Sequence, residues 1–81
     1  MQVRLFGRLA DHAGPTLTLA TTVAGRSVGE VRDLIAAEHP ALGSALAGPG
    51  VRACIGRDFV NTDHRLTDAD QLEFWPPVSG G

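Results

Sequence analysis

Lysine and tyrosine are absent from this sequence of 81 residues, and cysteine, methionine and tryptophan occur once each. The single cysteine, Cys54, excludes an internal disulfide, which fits a reducing compartment. All seven basic residues are arginine, so no side-chain amine exists through which the chain can be joined to itself by an isopeptide bond. No apolar stretch approaches the roughly 20 residues of a membrane-spanning helix. The opening Met1-Gln2-Val3-Arg4-Leu5-Phe6 lacks the charged and apolar regions of a secretory leader. Charges of either sign form no long run and sum to −2, which argues against a basic nucleic-acid stripe or a polybasic membrane patch. His12, His39 and His64 are too scattered for a metal motif. These absences predict a soluble, cytoplasmic protein with no nucleic-acid, membrane or metal partner.

What is present is enough for one core. The apolar fraction is 43%, normal for a globular domain of this size without staples. Gln2 to Phe6 alternates polar and apolar residues, as a half-buried strand does. Gly7 to Pro15 reads as a loop with a helical turn at Arg8-Leu9-Ala10, and Thr16 to Leu19 alternates again. The period then changes. Ser27 and Glu30 have the spacing of a capping box, and Val28, Val31, Leu34 and Ile35 follow on one helical face. Pro40 ends this helix, because it pushes His39 towards an extended conformation. Ala41 to Leu46 predicts only a short helical turn. Val51 to Ile55 and Asp58 to Val60 read as strands, Asn61 to Asp70 as a loop with Leu66 turned inward, and Gln71 to Trp75 as the last strand. The order ββαβββ predicts an α+β fold of the β-grasp, ubiquitin-like type. Its sheet is mixed, the first and last strands lie side by side, and one main helix packs on one face. The domain spans 1–75, and residues 76–81 form an extended tail.

That tail reads Pro76-Pro77-Val78-Ser79-Gly80-Gly81. Two prolines remove two backbone donors and fix φ, so strand pairing cannot continue through them. Gly80 and Gly81 lack Cβ atoms, so a narrow channel can close around their backbone. A slim arm then presents the Gly81 carboxylate. A carboxylate resists nucleophiles until it is coupled to a good leaving group such as AMP. A sulfur nucleophile can convert that mixed anhydride into a thiocarboxylate. This chemistry requires that nothing follow Gly81.

The ending Phe74-Trp75-Pro76-Pro77-Val78-Ser79-Gly80-Gly81 resembles that of the molybdopterin synthase small-subunit family. So does Leu66-Thr67-Asp68-Ala69-Asp70-Gln71-Leu72, with Ala69 in the glycine place, and so does the opening Val3 to Leu9. Gly56 departs from the asparagine that relatives often carry in that turn. The resemblance spans the whole chain and implies a mechanism. An activating enzyme related to ubiquitin E1 adenylates Gly81 with ATP, and a persulfide donor converts the adenylate to a thiocarboxylate. The arm inserts into the large synthase subunit, and sulfur passes to a cyclic pyranopterin monophosphate in molybdenum cofactor biosynthesis. The chain is then not catalytic alone and binds no cofactor itself. It supplies the reagent to a transferase in which two small subunits flank a dimer of large ones. Gly80 and Gly81 carry the chemistry, and Trp75, Pro76, Pro77, Val78, Ser79 and Arg8 are the expected partner contacts.

Strand alternation turns Phe74 to the core and Trp75 outward beside the arm, where a large aromatic suits an interface. Cys54, between Ala53 and Ile55, reads as a buried, inert thiol. Asp58, Asp63, Asp68 and Asp70 read as a solvated face. Three other functions share some of these features: a sulfur carrier for thiazole or cysteine synthesis, a ubiquitin-like modifier joined to lysines, and a non-catalytic binding module of the same fold.

Overall fold

The computed structural model describes residues 1–77. Val78, Ser79, Gly80 and Gly81 lie outside the described residues. Five strands form one sheet: β1 (Gln2–Leu5), β2 (Thr16–Thr18), β3 (Arg52–Ile55), β4 (Asp58–Val60) and β5 (Leu72–Trp75). Their order across the sheet is β2-β1-β5-β3-β4. The first and last strands are central neighbours and run parallel, with Val3 opposite Leu72 and Leu5 opposite Phe74. On the other side β5 pairs with β3 antiparallel, Ala53 opposite Phe74 and Ile55 opposite Leu72. These registers put Val3, Leu5, Ala53, Leu72 and Phe74 on one face, all buried.

Helix α2 (Val28–Glu38) covers that face with Val28, Val31 and Ile35, spaced at i, i+3 and i+7. Its start is fully capped. The Ser27 hydroxyl accepts from the Glu30 amide at 3.1 Å, and the Glu30 carboxylate accepts from the Ser27 amide at 3.1 Å. The two amides before Glu30 donate across to the loop preceding β5: Val28 to the His64 carbonyl at 3.0 Å and Gly29 to the Thr62 carbonyl at 2.8 Å. The donors that a helix start leaves unpaired are thereby satisfied.

The structure departs from the sequence reading in four respects. Ala41 to Leu46 is a complete helix, α3 (Pro40–Leu46), which buries Leu42, Gly43 and Leu46. Pro40 ends α2 and also begins α3, because its missing N–H is not needed in a first helical turn. The fold therefore has a second helix packed on the main one. Gly7 to Pro15 is mostly helical rather than a loop: a 3₁₀ turn (Gly7–Leu9) runs into α1 (Ala10–Ala13), anchored by buried Leu9. Leu34 is only half-buried, since the stripe of α2 facing the sheet is centred on Val31 and Ile35. Each longer strand is a residue shorter than the alternation predicts, though the Phe6 and Leu19 amides still bond to the Phe74 and Met1 carbonyls. Leu66 is buried as expected. It anchors a turn in which the Thr67 amide donates to the Asp70 carboxylate at 2.8 Å and the Asp70 amide donates back to the Thr67 carbonyl at 3.2 Å.

Candidate functional site

The site is the end of the sheet where β5 delivers the arm. Because β5 is central, its last residues are flanked on both sides. Phe6 and Gly7, just past β1, lie on one side, and Gly50 and Val51, just before β3, lie on the other. The chain therefore leaves from the middle of the sheet rather than from an edge.

On the face of the sheet away from α2, side chains beside the exit form a short aromatic and arginine row. Trp75 is 40% exposed and Phe59 is 59% exposed. The Trp75 ring stacks on Phe6, with centroids 3.9 Å apart and planes within 7°. The Arg52 guanidinium lies 4.2 Å from the Phe59 ring centroid, and that of Arg4 lies 5.3 Å from Phe6. Glu73 sits half-buried among them. It accepts from the Trp75 indole at 3.2 Å and reaches Arg4 at 4.0 Å. Cys54 is on this same face, in register with Glu73 and Phe59. It is buried, and burial, then the charges of Glu73 and Asp58, push its thiol above the ordinary value. A protonated, covered thiol is a poor nucleophile.

The face towards the helices differs. Pro76 and Pro77 are half-buried in an apolar groove that also includes Leu9, Pro49 and Val51. Arg8 is exposed at its rim. The structure thus brings Arg8, Pro76 and Pro77 together and places Trp75 on the opposite side of the exit. Val78, Ser79, Gly80 and Gly81 are outside the described residues. Sequence reasoning missed Phe6 and Arg52 as neighbours of Trp75, and Arg4 and Phe59 as the next members of the row. The period-2 alternation of β4 was the available signal for Phe59; nothing local pairs Phe6 with Trp75, because 69 positions of chain separate them. Among the described residues, no three potential metal-ligating side chains of His, Cys, Asp or Glu come together, and no helix is long and apolar enough to cross a membrane.

Comparison with known proteins places this geometry. The molybdopterin synthase sulfur carrier subunit of Escherichia coli (strain K12) is 34% identical over 83 residues, covering 100% of this chain and 99% of that one. The crystal structure of SAMP1 from Haloferax volcanii superposes with a TM-score of 0.81 at 26% identity, covering 99% of this chain and 97% of that one. The solution structure of the small archaeal modifier protein 1 from Methanosarcina acetivorans gives 0.79 at 26% identity, covering 99% and 94%. The ThiS family matches residues 3–81, a span that takes in every strand of the sheet except the first residue of β1, together with the Gly80-Gly81 ending. By that match, and by its β-grasp fold, this chain belongs to the ThiS family.

Proposed function

We propose that this chain is the sulfur-carrier subunit of a cytoplasmic molybdopterin synthase and that Gly81 carries the sulfur. The observation that supports this most is full-length similarity to the Escherichia coli carrier, with a ThiS match running through Gly81. The central exit strand and its two prolines suit an arm that must leave the sheet unpaired.

The chemistry follows from the carboxylate. Gly81 attacks the α-phosphorus of ATP on an E1-like enzyme, and pyrophosphate leaves. The outer sulfur of a persulfide displaces AMP. A second thiol then attacks the donor's inner sulfur in the resulting acyl disulfide, forming a disulfide with the donor and releasing Gly81 with the outer sulfur as its thiocarboxylate. Inside the large subunit, that sulfur bonds to a carbon of the pyranopterin precursor and displaces the oxygen it carries, giving a thioester whose hydrolysis leaves the sulfur on the precursor. Water returns Gly81 to the carboxylate, ready for another cycle. The catalytic groups for transfer belong to the large subunit, and this chain supplies the arm, Gly80 and Gly81, and the docking surface. Trp75 with its stacked Phe6, and Phe59 further along the same face, offer rings to the partner, and Arg4 and Arg52 offer guanidiniums. Arg8 with Pro76, Pro77, Val78 and Ser79 guide the arm's entry.

A second reading is a protein modifier, favoured by the likeness to the archaeal modifier structures. Having no lysine, this chain would be conjugated through Gly81 to lysines of other proteins only. Intact-mass measurement separates the readings. After incubation with ATP, activating enzyme and sulfur donor, Gly81 should gain the mass of sulfur for oxygen. Large subunit and pyranopterin precursor should then discharge it. A gain that the precursor never discharges would move the carrier to another pathway. Lysine-linked adducts without discharge would favour the modifier.

A further inference from the structure

The two registers of β5 extend past its end. Parallel pairing with β1 sets Leu5 opposite Phe74, and two residues further on Gly7 faces Pro76. Antiparallel pairing with β3 sets Arg52 opposite Trp75, and two residues further on Gly50 faces Pro77. Each tail proline thus meets a glycine, one just past β1 and one just before β3. The fit leaves no room for a methyl. A Cβ on Gly7 would lie 2.8 Å from Pro76 Cγ, and a Cβ on Gly50 would lie 2.7 Å from Pro77 Cβ. Both distances are well inside van der Waals contact. Both glycines also have positive φ, +56° and +81°, which turns the chain away from the sheet at the level of the prolines.

We propose that Gly7 and Gly50 are positioning residues for the arm: their missing side chains admit the Pro76 and Pro77 rings and so set the direction in which the chain leaves the sheet. A proline ring occupies the space that a ladder hydrogen bond would fill. In a central strand, both neighbouring backbones must give way to it. Glycine on each side lets the rings seat against the domain. The arm then starts from a fixed point, and less of its freedom remains to be lost when it enters a channel. The functional half of this inference rests on the carrier reading; the seating itself does not.

The protein supplies its own controls. Gly25 has φ +81° and Gly56 has φ +63°, and a Cβ on either meets nothing within 4 Å. Gly25→Ala therefore reports the backbone cost of alanine at Gly50, and Gly56→Ala that at Gly7. Gly50→Ala should lower Tm by about 5 °C more than Gly25→Ala. It should also raise the KM for ATP-dependent thiocarboxylation about tenfold, with kcat largely retained at a temperature where all variants are folded. Pro77→Gly removes the atom that clashes, so the excess Tm loss should vanish in the Gly50→Ala/Pro77→Gly double variant. Pro76→Ala should do the same for Gly7→Ala. Nuclear Overhauser contacts between Gly50 Hα and the Pro77 ring should be present in the wild type. Equal losses in Gly50→Ala and Gly25→Ala, or an excess that persists without Pro77, would overturn the inference. If the wild type gains no sulfur from a competent charging system, the carrier reading fails, and the stability cycle and the Overhauser contacts still decide whether the cradle exists.

Discussion

The two faces of the sheet use the same strands for different ends. Towards the helices, Val3, Leu5, Leu72 and Phe74 meet Val31, Ile35, Leu42 and Leu46, and among the described residues no polar or charged side chain is buried. Away from the helices, the alternate residues of the same strands are Arg4, Arg52, Glu73 and Trp75, with Phe59 exposed at the edge. One face lowers the free energy of folding by removing apolar surface from water. The other leaves large rings and guanidiniums in water, which folding alone does not require. Period-2 alternation allows both to be written into the same few residues, with the arm leaving where the two faces meet.

The largest effect should come from the covered face. Ile35 is fully buried between helix and sheet, so Ile35→Ala should cost about 3–4 kcal/mol in urea unfolding. A domain of this size has only about 4–12 kcal/mol of stability in all. A loss under about 1 kcal/mol would mean that α2 is loosely docked and that the contrast between the faces is overstated. Trp75→Ala should do the reverse. Tm should change little, and affinity for the large subunit should fall by about 2 kcal/mol, or some 30-fold, by calorimetry. Phe59→Ala should fall less, since its ring lies on the edge strand away from the exit. A Tm collapse in Trp75→Ala with unchanged affinity would make the Phe6–Trp75 stack part of the fold rather than of recognition.

Much of the covered face was legible in the sequence, and the reason is local. Alternation at Gln2 to Phe6 and at Gln71 to Trp75 marks strands with Leu72 and Phe74 inward, and the Ser27/Glu30 capping box marks the helix start to the residue. The central pairing of first and last strands follows from the ββαβββ order. The open face and the cradle were harder to read. The Phe6–Trp75 stack depends on a parallel register between residues at opposite ends of the chain. Gly7 and Gly50 read as ordinary loop glycines until that register sets them opposite prolines. Helix α3 is hard to read locally because Pro40 signals the end of one helix as readily as the start of another.

Gly43 sharpens the account of the covered face. It lies in α3 against α2, where a Cβ would run into the Cα and Cβ of Ala36. Alanine at Gly43 gains about 1 kcal/mol of helix propensity and loses about 1–3 kcal/mol to overpacking. The obstacle is partly backbone, so the two helices must part, and the net should be a loss of about 1–2 kcal/mol in chemical denaturation. A stabilised Gly43→Ala variant would show that α3 shifts freely on α2.

The smallest effect should come from the charged cluster at the start of α2. The Ser27 backbone amide, then the Ser27 hydroxyl and, with less weight, Arg65 hold the Glu30 carboxyl below its ordinary value. The Arg65 contact is 2.8 Å long, but both side chains are largely exposed, so solvent screens it. A carboxyl whose pKa is lower in the folded state binds fewer protons there than in the unfolded chain. Its contribution to stability is therefore complete above the ordinary glutamate value of about 4.3 and is lost as pH falls through the lowered folded value. The Tm difference between wild type and Glu30→Gln should accordingly be constant near neutrality and shrink below about pH 5. Arg65→Ala should leave most of the Glu30 depression in place in a carbon-detected NMR titration, because the Ser27 amide remains. If Arg65→Ala returns Glu30 to its ordinary value, an ion pair rather than a cap ties this helix to the loop before β5, and charge matters more on the covered side than its apolar packing implies.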